Sequence, residues 1–471
     1  MKKHIPASIA LCLALWLPNI VFSQETATPS DNDAEISTES LKTAYEQEQW
    51  DTAANIASKL LESSPENVDY LAIQGISYAH LEKFSEAESI FKKLQTIKPD
   101  DPKIMSSLCY TQFRLNRKEA PDNCKKSASL NPEIAAAQLI AGQALENANQ
   151  IEDANKLYAA ALKLNPDDLQ TISLLSNTYY LLKNYKKFAE TNVDALNRGI
   201  DNPILYLNAI SALNLVGDYE KAIELADKGI AKYHDSVMQQ GKGEALYRLN
   251  RIEEAVKLLR EVNGKTPDSS VIKPRSNYYL ARAILAEPCN AGDAGTCDTS
   301  ESACCVKAQE AISLLEAIQS KSQLNDDDYD IYAGLAYMIS GDLEKAEATL
   351  SKAIHKDMNQ DNASALAALA VTLHQFSDPR DKAAAMQYYQ QALDASPDFS
   401  DIQKVQQTRH WPQIALDILG QLKAEREKPA VKKSGCGCEI ATSHAPDSTP
   451  LAALLSILCM LGMMLRLRRN R

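Results

Sequence analysis

The chain has little glycine, 16 residues among 471, and this scarcity argues against a turn-rich all-β protein. Histidine is also sparse, with seven scattered residues and no His-Glu-x2-His pair of the kind that binds catalytic zinc. The Gly-x-Ser-x-Gly elbow of hydrolases and the spacing of a phosphate-binding loop are missing as well. We therefore predict no catalytic residues, no cofactor and no metal site, and we expect that the protein is not an enzyme.

The chain also lacks an excess of positive charge, since its formal net charge is -12. An acidic protein repels the phosphates of nucleic acids and the head groups of anionic lipids. Nucleic acid is thus excluded as a partner, and the acidity is expected to serve solubility.

Long apolar runs are missing except near the two ends. At the N-terminus, Lys2 and Lys3 precede the apolar run from Ile9 to Leu17, and small Ser23 follows, as in a secretory signal peptide. The run is too short to span a membrane. We predict a signal peptide over 1–23, cut before Gln24, and a disordered acidic linker over 24–36.

The C-terminal end has a polar linker over 429–450, which contains the motif Cys436-Gly-Cys438. An uncharged run from Leu451 to Leu465 follows, and then an arginine cluster that ends at Arg471. As a helix this run would extend about 22 Å, which is short for ~30 Å of hydrocarbon core. The basic end is expected to stay in the cytoplasm.

This C-terminal pattern resembles the MYXO-CTERM sorting signals of Gram-negative bacteria. The resemblance implies that 451–471 is an apolar helix with an Arg-rich sorting tail, which holds the protein in the membrane until a processing protease removes it. Cys436 or Cys438 would be the processing cysteine, and the product would attach to the outer membrane or the cell surface. A plain inner-membrane tail anchor with a periplasmic domain is the alternative.

The body of the chain is periodic. Prolines recur at Pro65, Pro99, Pro132 and Pro166, at intervals of 34, 33 and 34 residues. An alanine stands twelve residues before each of these prolines, and the same phase continues along the chain: Ala53, Ala87, Ala120, Ala154, Ala222, Ala255, Ala346 and Ala385. Apolar residues within each unit have the spacing of two amphipathic helices, which predicts a stack of helix hairpins.

One unit, YLAIQGISYAHLEKFSEAESIFKKLQTIKP, contains Gly75-x2-Tyr78, then Ala87-x3-Phe91, then Pro99. This pattern is similar to the tetratricopeptide repeat (TPR). The resemblance implies an all-α fold, a right-handed α-solenoid of about ten TPR hairpins over 37–428. Gln413 to Arg426 is expected to be a capping helix at its end.

Six cysteines of the body are disulfide candidates. Cys109 and Cys124 fall in the two helices of one repeat, as a staple or as two buried thiols. A Cys-rich insertion at 287–305 contains the other four: Cys289, Cys297, Cys304 and Cys305. Two disulfides in either of two arrangements are favoured over a four-cysteine metal site, because there is no Cys-x2-Cys pair and no nearby histidine.

The TPR resemblance also implies a binding face, because the first helices of successive repeats line the concave side. The residues implied on that face are Ser173, Asn177, Tyr180, Asn208, Ser211, Asn214, Gln240, Glu244 and Tyr247. Some TPR domains hold a peptide's carboxylate there with basic residues, but the corresponding places here are Ser173, Val237 and Gly241, so we do not predict such a clamp. An ordinary polar surface is the alternative.

These features together predict an exported scaffold that binds a protein or peptide partner at the cell envelope or surface. Contact with the membrane would be made through the C-terminal segment. The alternative is a metal- or redox-dependent protein that works through the Cys-rich insertion.

Overall fold

The structure, a computed structural model, describes residues 36–270, 272–288, 302–318, 328–356, 362–376 and 378–428. In these ranges the chain forms 22 α-helices and no β-strand. Both terminal segments, Cys289, Cys297, Cys436 and Cys438 lie outside the described residues.

The first 20 helices pair in chain order into ten hairpins. The first five hairpins are α1 (Thr38–Glu46) with α2 (Trp50–Ser63), α3 (Val68–His80) with α4 (Phe84–Ile97), α5 (Pro102–Arg114) with α6 (Ala120–Leu130), α7 (Ala135–Asn147) with α8 (Ile151–Leu164), and α9 (Leu169–Leu181) with α10 (Tyr185–Asn197). The next five are α11 (Pro203–Val216) with α12 (Tyr219–Tyr233), α13 (Ser236–Arg248) with α14 (Ile252–Lys265), α15 (Lys273–Ala286) with α16 (Ala303–Glu316), α17 (Tyr329–Ile339) with α18 (Leu343–Lys356), and α19 (Ala363–His374) with α20 (Pro379–Ala395). A 3-10 turn (Pro397–Ser400), α21 (Ile402–Arg409) and α22 (Gln413–Glu427) follow.

Short polar residues start many of the first helices. The carboxylate of Asp101, two residues after Pro99, accepts hydrogen bonds from the backbone N–H groups of Lys103 and Ile104 at 2.9 and 3.2 Å. Asn67 and Asp168 cap α3 and α9 in the same way. Such caps satisfy N–H groups that have no partner within the helix.

The turn inside most hairpins uses a left-handed residue. Positive φ angles recur there at Glu48, Glu82, Asn116, Asn149, Lys183 and Asn250, and at Gly217 and Gly341. The N–H group of the next residue bonds back to the first helix, as from Lys83 to the carbonyl of Tyr78 at 2.8 Å. This is the Schellman ending of a helix, and its recurrence sets the direction of the second helix in each repeat.

Small residues let the two helices of a hairpin approach closely. The eight alanines of the shared phase are all buried. A Cβ added to Gly142 would lie 2.5 Å from Cε1 of Tyr158, so the tyrosine ring occupies the space that the glycine leaves. Gly75 and Phe91 have the same relation in hairpin 2.

Two hairpins fill the glycine position differently. Cys109, 34 residues after Gly75, forms a disulfide with Cys124 that joins α5 to α6. In hairpin 5, Ser176 accepts a hydrogen bond at 2.9 Å from the amide of Asn192. The close approach is therefore retained with three different chemistries.

The hairpins stack as a solenoid. From α1 to α20 each helix packs on the next along the chain. First helices also touch first helices, as in α5 with α7, α11 with α13 and α17 with α19. First helices thus form the inner layer and second helices the outer layer. The expected all-α TPR solenoid is confirmed. It extends to Lys423, and the described part of a second unit, 424–428, is exposed helix end.

Among the described residues, no helix is both long and apolar enough to span a membrane. The predicted signal peptide and sorting tail lie outside the described residues.

Candidate partner-binding groove

The inner face is open at hairpins 5 and 6. Asn177 on α9 is exposed, and its amide donates to a carboxylate oxygen of Glu146 at 3.3 Å. Tyr180 and Asn208 are half-buried, and the Tyr180 ring meets Phe188 edge-on with 5.9 Å between ring centroids. These three predicted residues can reach a partner. We call the inner face of α9 and α11 the open groove.

Exposed apolar side chains flank the open groove. Leu181 is 51% exposed and Val216 42% at the ends of α9 and α11, while Ile204 and Val237 are 48% and 38% exposed at the starts of α11 and α13. Only six large apolar residues are exposed in the described part of the chain, and four of them are these. Helical periodicity alone did not single them out, because it marks apolar residues as core.

Four more of the predicted binding residues are buried, and Ser173 and Ser211 are half-buried. Asn214 donates to the carbonyl of Gly241 at 2.9 Å, and Gln240 is 3% exposed. Glu244 accepts hydrogen bonds from Arg275 and Tyr279 at 2.8 and 2.7 Å. In this conformation the side chains of Asn214, Gln240 and Glu244 are buried within the inner layer.

The pKa of Tyr279 is raised, first by burial and then by the charge of Glu244. The phenol therefore stays protonated and remains a hydrogen-bond donor to that carboxylate.

Tyr247, also predicted on the binding face, is fully buried against Arg282. The Arg282 guanidinium is 1% exposed and donates to the hydroxyl groups of Tyr247, Tyr278 and Tyr332 at 3.2, 3.0 and 2.8 Å. Its Cζ also lies 4.1 Å from the centroid of the Tyr332 ring, close enough for a cation–π interaction. The cluster joins α13, α15 and α17.

The chain returns to this cluster after α21. The hydroxyl of Tyr332 donates to the backbone carbonyl of Arg409. His410 has a left-handed backbone with φ of 51° and is 3% exposed. Its ring centroid lies 4.8 Å from that of Tyr247. Burial, followed by the charges of Arg282 and Arg248, lowers the pKa of His410 to about 4, so the imidazole is neutral near pH 7.

Helix α22 then adds apolar side chains to the core at the C-terminal end of the solenoid. Its buried side chains belong to the same apolar core as α15, α17 and α19: Ala415, Leu416, Ile418, Leu419 and Leu422. The inner helices are buried without a break over 276–285, 331–339 and 363–374. The expected helix at 413–426 is present, but it lies against inner helices as well as near the end of the stack.

The cysteines outside the groove make covalent links. Cys109 and Cys124 are bonded to each other, and Cys304 and Cys305 at the start of α16 are each disulfide-bonded. Within the described ranges no three His, Cys, Asp or Glu side chains are grouped as a metal site would need.

Comparison with known families matches the tetratricopeptide repeat at residues 41–102 and 332–398. The chain contains tetratricopeptide repeats. These matches lie near the two ends of the solenoid. Several hairpins between them have the same left-handed turns and buried alanines, as at Asn149 with Ala154 and at Asn250 with Ala255.

A curated relative is the human protein O-mannosyl-transferase TMTC3, which is 26% identical over 278 residues. The similarity covers 53% of this chain and 29% of the relative's length. The expectation that the protein is not an enzyme is therefore corrected, because a protein named for transferase activity is among its relatives.

Solved structures of similar proteins include a Naa15/Naa10 complex bound to HypK, 16% identical, with a TM-score of 0.38, covering 84% of this chain and 68% of that one. Another is MamA from Desulfovibrio magneticus, 17% identical, with a TM-score of 0.32, covering 34% of this chain and 93% of that one.

Proposed function

We propose that this chain is a TPR scaffold that binds a segment of a protein partner in the open groove of α9 and α11. The observation that carries the proposal is the exposure of that inner face within an otherwise buried inner layer. TPR arrays present such faces as extended binding surfaces.

The chemistry of the open groove indicates what the partner segment contains. Asn177 and Asn208 carry amides that both donate and accept, so they suit backbone groups of a peptide. Leu181 and Val216 at one end, with Ile204 and Val237 at the other, suit apolar side chains of the same segment. Such a segment has apolar residues at both ends and uncharged polar groups between them.

Site-specific photo-crosslinking tests this proposal. A photoreactive amino acid replaces Leu181 in the open groove or, as a matched control, exposed Lys221 on outer helix α12. We expect a defined protein adduct from position 181 and none from position 221. Identical adducts at the two positions, or no adduct at 181, would reject the open groove as a binding surface.

We further propose that the scaffold is exported and attached to the cell envelope. The signal-like segment 1–23 and the motif Cys436-Gly-Cys438 ahead of the apolar run support this location. Mature protein is expected to end near Cys436–Cys438 and to lack 451–471. Replacing both cysteines with alanine should leave the full-length form in the inner membrane, as shown by mass spectrometry of membrane fractions. Normal processing of that variant would favour a simple tail anchor.

A redox- or metal-dependent role of the Cys-rich insertion is a second candidate. The disulfide-bonded state of Cys304 and Cys305 supports the redox form of this idea. Thiol counting and zinc analysis of purified protein test it. Disulfides that open reversibly at the redox potential of the envelope, or stoichiometric zinc, would support the role, and permanently oxidised cysteines without zinc would remove it.

The transferase relative raises a third candidate, participation in protein O-mannosylation. Its support is sequence similarity over about half the chain. Incubation of the purified chain with a mannosyl donor and an acceptor protein tests it directly. Mannose incorporation above a heat-denatured control would support this activity, and its absence would limit the chain to binding.

A further inference from the structure

Residues Arg409 to Leu422, which we call the return segment, lie on the inner layer of the solenoid. We propose that the return segment is an internal ligand of the groove, and that a partner's amphipathic helix binds by displacing it. This inference rests on the proposed function and extends the binding surface from hairpins 5 and 6 into hairpins 7 to 9.

The position of the return segment distinguishes it from an end cap. A cap of a repeat stack needs to cover only the last repeat. Here His410 packs on Tyr247 of hairpin 7, and Tyr332 of hairpin 9 donates to the carbonyl of Arg409. Pro412 and Ile414 lie beside Ile339 at the end of inner helix α17, and also beside Cys304 at the start of outer helix α16. The segment therefore reaches back along the inner layer, where a TPR array receives a ligand.

The contacts of the return segment define the chemistry of the displacing helix. Its polar contacts are made through a backbone carbonyl and an imidazole. These contacts therefore place few requirements on the sequence of a displacing helix. Its apolar contacts come from one side of α22, with Leu416, Leu419 and Leu422 buried and Asp417 and Gln421 exposed on the other side. A partner helix with leucines at such spacings of three residues fits the same surface.

The docking also contains unfavourable features. The Nδ1 atom of His410 is buried without a hydrogen-bond partner, and a buried polar atom without a partner lowers the stability of that contact. His410 also has a left-handed backbone, which is disfavoured for a residue with a Cβ. On the far side of the segment, residues 424–428 are all exposed. These features make this region easier to release than an optimised cap.

The open groove adjoins the covered surface. Helix α11 touches α13, and α13 touches α15, so the inner layer is continuous from the open groove to the Arg282 cluster. A partner segment bound at α11 that extends toward α15 meets His410 next to Tyr247. Displacement of the return segment would uncover Tyr247, one of the residues that the TPR resemblance places on the binding face.

A labelled peptide with the sequence of residues 409–423, RHWPQIALDILGQLK, probes whether the surface is vacant. It is titrated into the full chain and into a variant with Leu416→Asp and Leu419→Asp, which dislodges α22. The matched control carries Asp417→Asn and Gln421→Asn on the exposed side of the same helix. We expect the dislodged variant to bind the peptide at least about tenfold tighter than wild type, because apparent affinity scales with the vacant fraction. The control should bind like the wild type.

Equal affinities of a folded double variant and the wild type would overturn the proposal. Circular dichroism establishes whether the double variant is folded. If it is not, His410→Gly decides, since glycine accepts the left-handed backbone and removes the contacts of the imidazole with the Tyr247 ring and the Arg248 backbone. Tighter peptide binding by that variant supports the internal ligand, and unchanged binding rejects it. The assay contains no cellular partner, so its result is independent of the crosslinking experiment at position 181.

Discussion

Two stretches of the inner layer have the same hairpin framework and opposite surfaces. In the open groove, α9 presents Ser173 and exposed Asn177. In the covered stretch, α17 presents Ile331, Leu335 and Met338, all buried. The position that faces the second helix is alike in the two stretches. Gly334 in hairpin 9 and Ser176 in hairpin 5 are both small and both lie close to the second helix of their hairpin. The two stretches therefore differ in the side chains of their inner faces, and not in the contact between the two helices of a hairpin.

The largest expected difference between the stretches comes from leucine truncation. Leu419→Ala leaves a cavity in the covered core, where the side chain is fully buried, and should lower the free energy of unfolding by about 2–5 kcal/mol. Leu181→Ala removes a half-exposed side chain and should change it by less than about 0.5 kcal/mol. Urea denaturation measures both, and effects of similar size would mean that α22 is not part of the core.

A second comparison uses one framework position in both stretches. Gly334→Ala places a Cβ 2.4 Å from Cγ of Leu350, and overpacking of this kind should cost ~1–3 kcal/mol. Ser176→Ala removes the 2.9 Å hydrogen bond with Asn192 and should cost about 1 kcal/mol. Gly264→Ala is the control, since nothing lies within 4 Å of the added Cβ, and it should stabilise its helix by ~0.5–1 kcal/mol. If Gly264→Ala were also destabilising, the loss of stability in Gly334→Ala would come from replacing a helix glycine as such, and not from overpacking.

Acidification should weaken the covered stretch through His410. Its pKa falls from 6.5 to about 4 on folding, so between these values the unfolded chain binds more protons than the folded chain. The stabilisation from neutral His410 is complete above pH 6.5 and decreases as the pH falls toward 4. Urea denaturation at pH 7 and pH 5 should therefore show a smaller loss in His410→Gly than in the wild type. Identical losses would assign the pH dependence to other groups, such as His80, whose pKa is also lowered by burial to about 4.

The smallest expected effect on stability comes from the open groove. Asn177→Ala removes an exposed amide whose one contact is with Glu146, and unfolding should change by less than about 0.5 kcal/mol. The crosslinking yield at position 181 should nevertheless fall, because Asn177 lies on the proposed binding surface. A full yield would place the partner's polar contacts elsewhere on the groove.

The sequence was enough to predict the hairpins. Prolines at intervals of 33 and 34 residues, alanines in a shared phase and the Gly75, Tyr78 and Phe91 pattern all describe contacts between residues that are close in the chain. Such local contacts recur in every repeat, so a repeated pattern reveals them even when single copies depart from it.

The accessible site could be predicted only in part. Asn177, Tyr180 and Asn208 remain available on the inner face, whereas Glu244 and Tyr247 are buried. Their repeat phase alone could not separate these two groups, since both occupy inner positions of first helices. The four exposed apolar side chains were missed because exposure depends on the neighbouring hairpins.

The sequence by itself thus determined the number, length and internal packing of the helices, because those follow from periodicity and from residues one repeat apart. Only the tertiary structure decided which part of the inner face is open. In hairpins 7 to 10 the tertiary structure brings α22 into the same apolar core as residues far earlier in the chain, and it returns His410 to Tyr247. Contacts between distant segments have no period of their own, so the sequence carries no repeated signal that would predict them.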